Sequence, residues 1–165
     1  MAIKFKHAKQ SQLPKIVEIY NQVIDSGTVT ADLAPVTVSE RQDWFDAFDP
    51  QKYPIWVIYQ GVEMIGWVSL EPFYGRAAYQ NTAEISIYVD EKFHRQNVGT
   101  QTLDFVANQL HHLDINNLVA FVFKQNTPSM HLFQKQNFVQ WGLLPKVAQI
   151  NGHYLDLSIM GKYFP

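Results

Sequence analysis

The segment Val89-Asp90-Glu91-Lys92-Phe93-His94-Arg95-Gln96-Asn97-Val98-Gly99-Thr100 joins an apolar, β-branched run to a stretch of helical period, and its end can hold an anion. At a helix N-terminus up to four backbone N–H groups lack intrahelical partners and the macrodipole adds partial positive charge. Gly99 there would let backbone and ligand approach closely, although an ordinary strand-to-helix connection has the same ingredients. Upstream, Glu84 shares one strand face with Ser86 and Tyr88 by alternation; residue statistics alone read it as a surface carboxylate. Arg76 could grip a carboxylate through two parallel hydrogen bonds with Tyr79 adding a phenol, or be a solvated loop charge. Asn126, ahead of Pro128 and Ser129, has the place of a helix N-cap.

Composition narrows what such residues can serve. The 165 residues have the length of one domain, 1–165, with 47% hydrophobic and 17% charged residues, enough apolar surface to offset ordering entropy. Thirteen basic against fifteen acidic side chains give a formal charge of −2, so no broad positive field exists for nucleic acid or an anionic membrane, and any polyanion must be held locally. The absence of cysteine excludes disulfides, thiolate metal sites and cysteine nucleophiles. The start MAIKFKHAKQ has no apolar signal region and no run approaches the ~18 apolar residues of a membrane span, so a cytoplasmic protein is expected.

The positioning elements follow from periodicity. Ile3 and Phe5 alternate in a first strand, and Ser11 caps a helix bearing Leu13, Ile16, Val17, Tyr20, Val23 and Ile24. Ser39 caps a second helix with Trp44, Phe45 and Phe48 that ends before Pro50. Ile55–Tyr59 and Met64–Leu70 flank the turn signal Gln60-Gly61, and Thr82–Val89 adds a third strand. Val98 to Leu113 is helical, Leu118–Phe123 a buried strand, and a Pro128–Ser129 helix precedes strands at Phe138–Leu143 and Tyr154–Met160. The expected fold is a mixed α/β sheet with helices on its faces.

The region Glu84–Phe138 resembles the core of the GNAT superfamily of N-acetyltransferases. Its acetyl-CoA loop, Q/R-x-x-G-x-G/A, corresponds to His94-Arg95-Gln96-Asn97-Val98-Gly99, with His94 and Asn97 departing from the pattern. Asn tolerates left-handed dihedrals, and His94 retains a ring N–H. The later motif N-x-x-A/S-x-x-L-Y-x-K-x-G-F resembles Asn126 to Phe138. Tyr20-Asn21, Gly66-Trp67, Gly75–Tyr79, Thr82–Val89 and Asn151–Asp156 are similar to phosphinothricin and methionine sulfone or sulfoximine acetyltransferases.

This resemblance implies a mostly antiparallel GNAT-like sheet with a V-shaped splay between the fourth and fifth strands. It also implies acetyl transfer from acetyl-CoA, as co-substrate, to the α-amino group of a small amino acid or analogue. Such an amine must lose a proton before attacking; Glu84 is the implied base, directly or through water, and Arg76 with Tyr79 the implied amino-acid clamp. Acetyl-CoA would be held by His94, Arg95, Gln96, Asn97, Val98, Gly99 and Thr100, by Asn126 and Ser129, and by backbone groups around Ile87 and Val89. Phe133 stands where many relatives have the tyrosine acid, with Tyr88 as a fallback. The missing cysteine favours direct attack in a ternary complex; Ser, Lys and His remain formal nucleophiles, but none has a supporting motif, and a homodimer is implied by the habits of related enzymes.

No metal is expected, because the adjacent His111 and His112 point apart on a helix without partners at ligand spacing. Ser129 and His131 lack a nucleophile elbow, and the four tryptophans lack the basic groove of a base-stacking surface. Two alternatives stand: another amine acceptor, such as a polyamine, an aminoglycoside or a peptide N-terminus, and a non-catalytic CoA-binding module.

Overall fold

The computed structural model describes residues 2–165. Seven strands form one sheet: β1 (Ile3–His7), β2 (Ile55–Gln60), β3 (Glu63–Pro72), β4 (Thr82–Val89), β5 (Asn117–Phe123), β6 (Val139–Ile150) and β7 (His153–Tyr163), in the spatial order β1-β2-β3-β4-β5-β7-β6. Every neighbouring pair is antiparallel except β4 and β5. That parallel pair follows from the helical crossover between them, α3 (Val98–Gln109). It pairs only at Thr82–Asn117, Ala83–Leu118 and Glu84–Val119, after which the strands part. This is the expected splay, and it leaves the far half of β4 with a free edge.

Alternation sorts the side chains into two cores. Trp56, Val68, Leu70, Ala83, Ile85, Leu118, Ala120 and Val122 pack under α3 and α4 (Thr127–Lys135). Ile55, Val57 and Trp67 pack on the other face against α1 (Leu13–Asn21) and aromatic residues of α2 (Val38–Asp46). Glu84, Ser86 and Tyr88 belong to this second face, opposite Glu71, Ser69 and Trp67 in register.

Several boundaries differ from expectation for local reasons. A 3-10 turn, Gln10–Gln12, leads into α1, so Gln12 rather than Ser11 stands at its N-cap. The second helix is capped by Thr37, not Ser39: Thr37 Oγ1 accepts from the Glu40 amide while Glu40 accepts from the Thr37 amide at 2.7 Å, a reciprocal box. Beyond Asn21 the first helix gives way to a 3-10 turn closed by left-handed Gly27. The last two strands are longer than alternation suggests because β6 continues through a bulge between Leu144 and Ala148, where Lys146 takes a positive φ and its amide donates to Asp156.

Candidate active site

The splay opens a cavity of about 520 Å³ between Ile85–Val89 of β4 and Ala120–Val122 of β5. Asn97, Val98, Gly99 and Thr100 at the start of α3 line one part of it, and Asn126, Pro128, Ser129, Leu132 and Phe133 another. The turn into α3 survives without its usual glycine because Asn97 adopts φ 64°, ψ 19°, the left-handed conformation Asn best tolerates among non-glycine residues. First-turn amides of α3 therefore face the cavity without intrahelical acceptors. Gly99 answers to a neighbour rather than only to a ligand: an added Cβ would lie 2.8 Å from the Leu132 side chain, so its smallness lets α3 and α4 meet.

His94 is also in this wall, but its Nε2 bonds the Val89 carbonyl at 2.8 Å. A carbonyl only accepts, so the ring proton sits on Nε2 and, in the neutral ring, Nδ1 is left as an acceptor. The N–H expected to be free for a ligand is thus spent on β4. Arg95 joins the same wall with positive φ, whereas Gln96, exposed and donating weakly to the Lys92 carbonyl, does not. Asn126 is buried and caps α4, accepting from the Ser129 amide and donating to Ser129 Oγ. Its capping role and its place in the cavity coexist.

A smaller cavity of about 130 Å³ lies on the other face of β4, between the sheet and α1 and α2. Its walls include Tyr20, Arg41, Trp44, Trp67, Ser69 and Glu71, and it shares Ser86 and Tyr88 with the larger cavity. Glu84 is not itself a wall residue of either. It stands two residues before Ser86 on the same face and directly across the ladder from Glu71, which is. Burial raises the Glu84 carboxyl, and the Glu71 carboxylate raises it further, to about 7. Burial likewise pushes the Tyr88 phenol well above its ordinary value, so it stays protonated. The junction thus brings together a carboxyl raised to about 7, a neutral phenol, and two cavities meeting at one strand.

Arg76 and Tyr79 are exposed on the loop 73–81 between β3 and β4, and neither lines either of these two cavities; Tyr79 packs edge-on against Phe73. The guanidinium that does line the smaller cavity is Arg41, stacked over Tyr20 and Trp44 and paired with Asp32 at 3.1 Å. Sequence reasoning missed Arg41, Ser69 and Glu71. The available signal was the spacing of Arg41 and Trp44, three residues apart on one helix and so on one face. Phe133 is buried against Phe138 and supplies no proton. Among the described residues no cluster of His, Cys, Asp and Glu could hold a metal ion.

Comparison with known proteins identifies the family. A Bacillus subtilis protein named "Putative phosphinothricin acetyltransferase YwnH" is 40% identical over 156 residues, 94% of this chain and 95% of its own. An L-methionine sulfoximine/L-methionine sulfone acetyltransferase of Pseudomonas paraeruginosa is 30% identical, covering 97% and 94%. The fold superposes with a TM-score of 0.92, at 23% identity over 99% and 89% of the two chains, on a GNAT superfamily phosphinothricin acetyltransferase from Sinorhizobium meliloti determined in complex with acetyl-CoA. The profile of the Acetyltransferase (GNAT) family matches residues 16–138, a span that contains every wall residue of both cavities, and the chain therefore belongs to that family of acetyltransferases.

Proposed function

We propose that the protein moves an acetyl group from acetyl-CoA to the α-amino group of a small amino acid or analogue of the phosphinothricin or methionine sulfone type, with Glu84 as the base. The observation that carries this reading is the shared wall of Ser86 and Tyr88 between a long cavity at a free strand edge and a small aromatic one, with Glu84 beside it. The larger cavity suits acetyl-CoA: the edges of β4 and β5 and buried Asn126 can pair with pantetheine amides by local strand addition, and α3 amides with its phosphates. Acetyl-CoA supplies an activated acetyl thioester. Glu84, direct or through water, removes the ammonium proton, and the amine then attacks without a covalent enzyme intermediate. Phe133 cannot protonate the leaving sulfur; water or a backbone N–H supplies that proton, with the neutral Tyr88 phenol in the cavity wall as the fallback. The relatives' names support the acceptor class.

A thiol-release assay with phosphinothricin, methionine sulfone and methionine sulfoximine against a polyamine, an aminoglycoside and a peptide tests the proposal. Transfer to the amino acids is expected at least about tenfold faster in kcat/KM, a gap of about 1.4 kcal/mol. Preference for another amine overturns the acceptor class, and acetyl-CoA binding without any transfer overturns the enzyme reading. Because Glu84 must be ionised to act, kcat/KM should fall as pH drops through about 7.

The acceptor's carboxylate has two claimants. Arg76 and Tyr79 were expected to clamp it; Arg41 lies in the cavity wall itself. Comparing an amino acid with its amide in Arg41→Ala and Arg76→Ala separates them: the true clamp raises KM about tenfold or more for the acid and little for the amide. Equal effects on both acceptors remove the carboxylate role from that arginine. We extend the proposal to a homodimer, supported by the exposed Val139, Trp141, Leu144, Val147 and Tyr154 on the terminal hairpin.

A further inference from the structure

Two carboxylates stand opposite one another where a strand pair normally avoids it. Glu71 and Glu84 are direct partners in the β3–β4 ladder, so both side chains rise from the same face, and like charges directly opposite destabilise a sheet. Glu71 is held in place nonetheless. Trp44 Nε1 donates to Glu71 Oε1 at 2.7 Å, and the indole is itself locked edge-on between Trp67 and Phe48. Across the ladder the Glu84 carboxyl is raised to about 7, first by burial and then by the facing Glu71 carboxylate.

Two residues before Glu71 on the same face, Ser69 is 1% exposed and its hydroxyl has no hydrogen-bond partner among the described residues, although it lines the small cavity. A buried hydroxyl without a protein partner that faces a pocket is free to bond a ligand's polar group. That wall also holds the aromatic faces of Trp44, Trp67 and Tyr88, surfaces that attract a cation, and the Arg41 guanidinium, whose charge is partnered by Asp32. A carboxylate, a free hydroxyl and aromatic faces together suit an ammonium group.

We propose that Glu71 is a positioning residue for the reaction: with Glu84 it forms a two-carboxylate seat for the acceptor's ammonium group, completed by the Ser69 hydroxyl as a third acceptor. This rests on the reading of Glu84 as base. In the seat one proton passes from nitrogen to a Glu84 carboxylate oxygen, leaving the nitrogen lone pair free, and no other bond changes. Glu71 makes that transfer easier because its charge raises the affinity of Glu84 for the proton. An ammonium titrates at about 8 or above, and a base near 7 accepts its proton far more readily than an ordinary carboxylate. The other charged or titratable groups on this face are Tyr88 of β4, Tyr20 of α1, Arg41 of α2 and Asp32 of the intervening loop; the last three are tied to one another.

Glu71→Gln tests the proposal with little change of shape, since the amide oxygen can still accept from Trp44. The acidic limb of kcat/KM should move down from about 7 by about one pH unit, with the acceptor KM raised about tenfold and the acetyl-CoA KM unchanged. Glu71→Asp should restore much of the limb, whereas a merely structural role would suffer equally from either change. Ser69→Ala leaves both carboxylates in place and should raise the acceptor KM several-fold without moving the limb, while the free protein loses no stability. Carbon-13 glutamate titration of the protein alone, with the Glu84 signal identified by its loss in Glu84→Gln, should show the same downward shift in Glu71→Gln. An unmoved limb and unmoved Glu84 midpoint overturn the proposal, as does an unchanged acceptor KM in Ser69→Ala should Glu71→Gln fail to fold. If Glu84→Gln keeps full turnover while the midpoint still moves, the base assignment fails and the carboxylate coupling stands.

Discussion

Glu84→Gln should lower kcat by about 10²–10⁴-fold, equivalent to about 3–5 kcal/mol of barrier, while the protein still binds acetyl-CoA. The substitution preserves shape and removes only the ability to take a proton, and the carboxyl lies outside the walls of the larger cavity, so acetyl-CoA should be unaffected. Isothermal titration with acetyl-CoA and steady-state kinetics with a reactive amino acid check the two halves separately; unchanged turnover would sink the assignment. A stability readout accompanies it. The folded-state value of Glu84, about 7, lies above its ordinary 4.5, so the folded state gains from the proton it holds, an advantage present at low pH and lost as pH rises through about 7. Glutamine cannot ionise and escapes that loss. The variant should therefore melt above the wild type at pH 8, and the difference should shrink toward pH 5.

Much of this machinery was legible in the chain because it rests on local patterns. Thr82–Val89 emerged with the boundaries read from its β-branched run, and the left-handed Asn97 was foreseeable from a single departure in the loop motif. The register of β3 against β4 was not. Those strands are joined by the loop 73–81 rather than a tight turn, so no local rule fixes which residue of β3 faces Glu84. Glu71 and Ser69 were invisible for that reason. Arg41 was obscured differently: it lies on a short, polar, two-turn helix whose contribution to the site depends on how that helix docks on Trp67 and Tyr20. Arg76 stands just ahead of β4 along the chain, but closeness in sequence does not put it in the wall of either cavity.

Gly66→Ala should destabilise the fold by about 2–3 kcal/mol and weaken acetyl-CoA binding at the same time. Gly66 pairs with Ile58 on one side and Val89 on the other, at the end of β4 where its opposite edge borders the larger cavity. A Cβ there would sit 2.7 Å from the Tyr88 carbonyl oxygen and 3.3 Å from both Val89 Cα and Ile58 Cδ1. The first two obstacles are backbone atoms, so relief requires β4 itself to move rather than a side chain to rotate. That movement carries Tyr88 and Val89, and with Val89 the carbonyl that anchors His94, out of the line that the cavity edge needs. For a chain of this size the loss corresponds to a drop of about 4–12 °C in Tm. Gly142→Ala is the matched control: also a strand glycine, its added Cβ would meet nothing closer than 3.4 Å, so relief from glycine's conformational entropy should leave it unchanged or up to about 1 kcal/mol more stable. Thermal unfolding of the two variants, paired with acetyl-CoA titration, distinguishes a steric demand at the splay from a general aversion to side chains in this sheet; equal Tm values for the two would refute it.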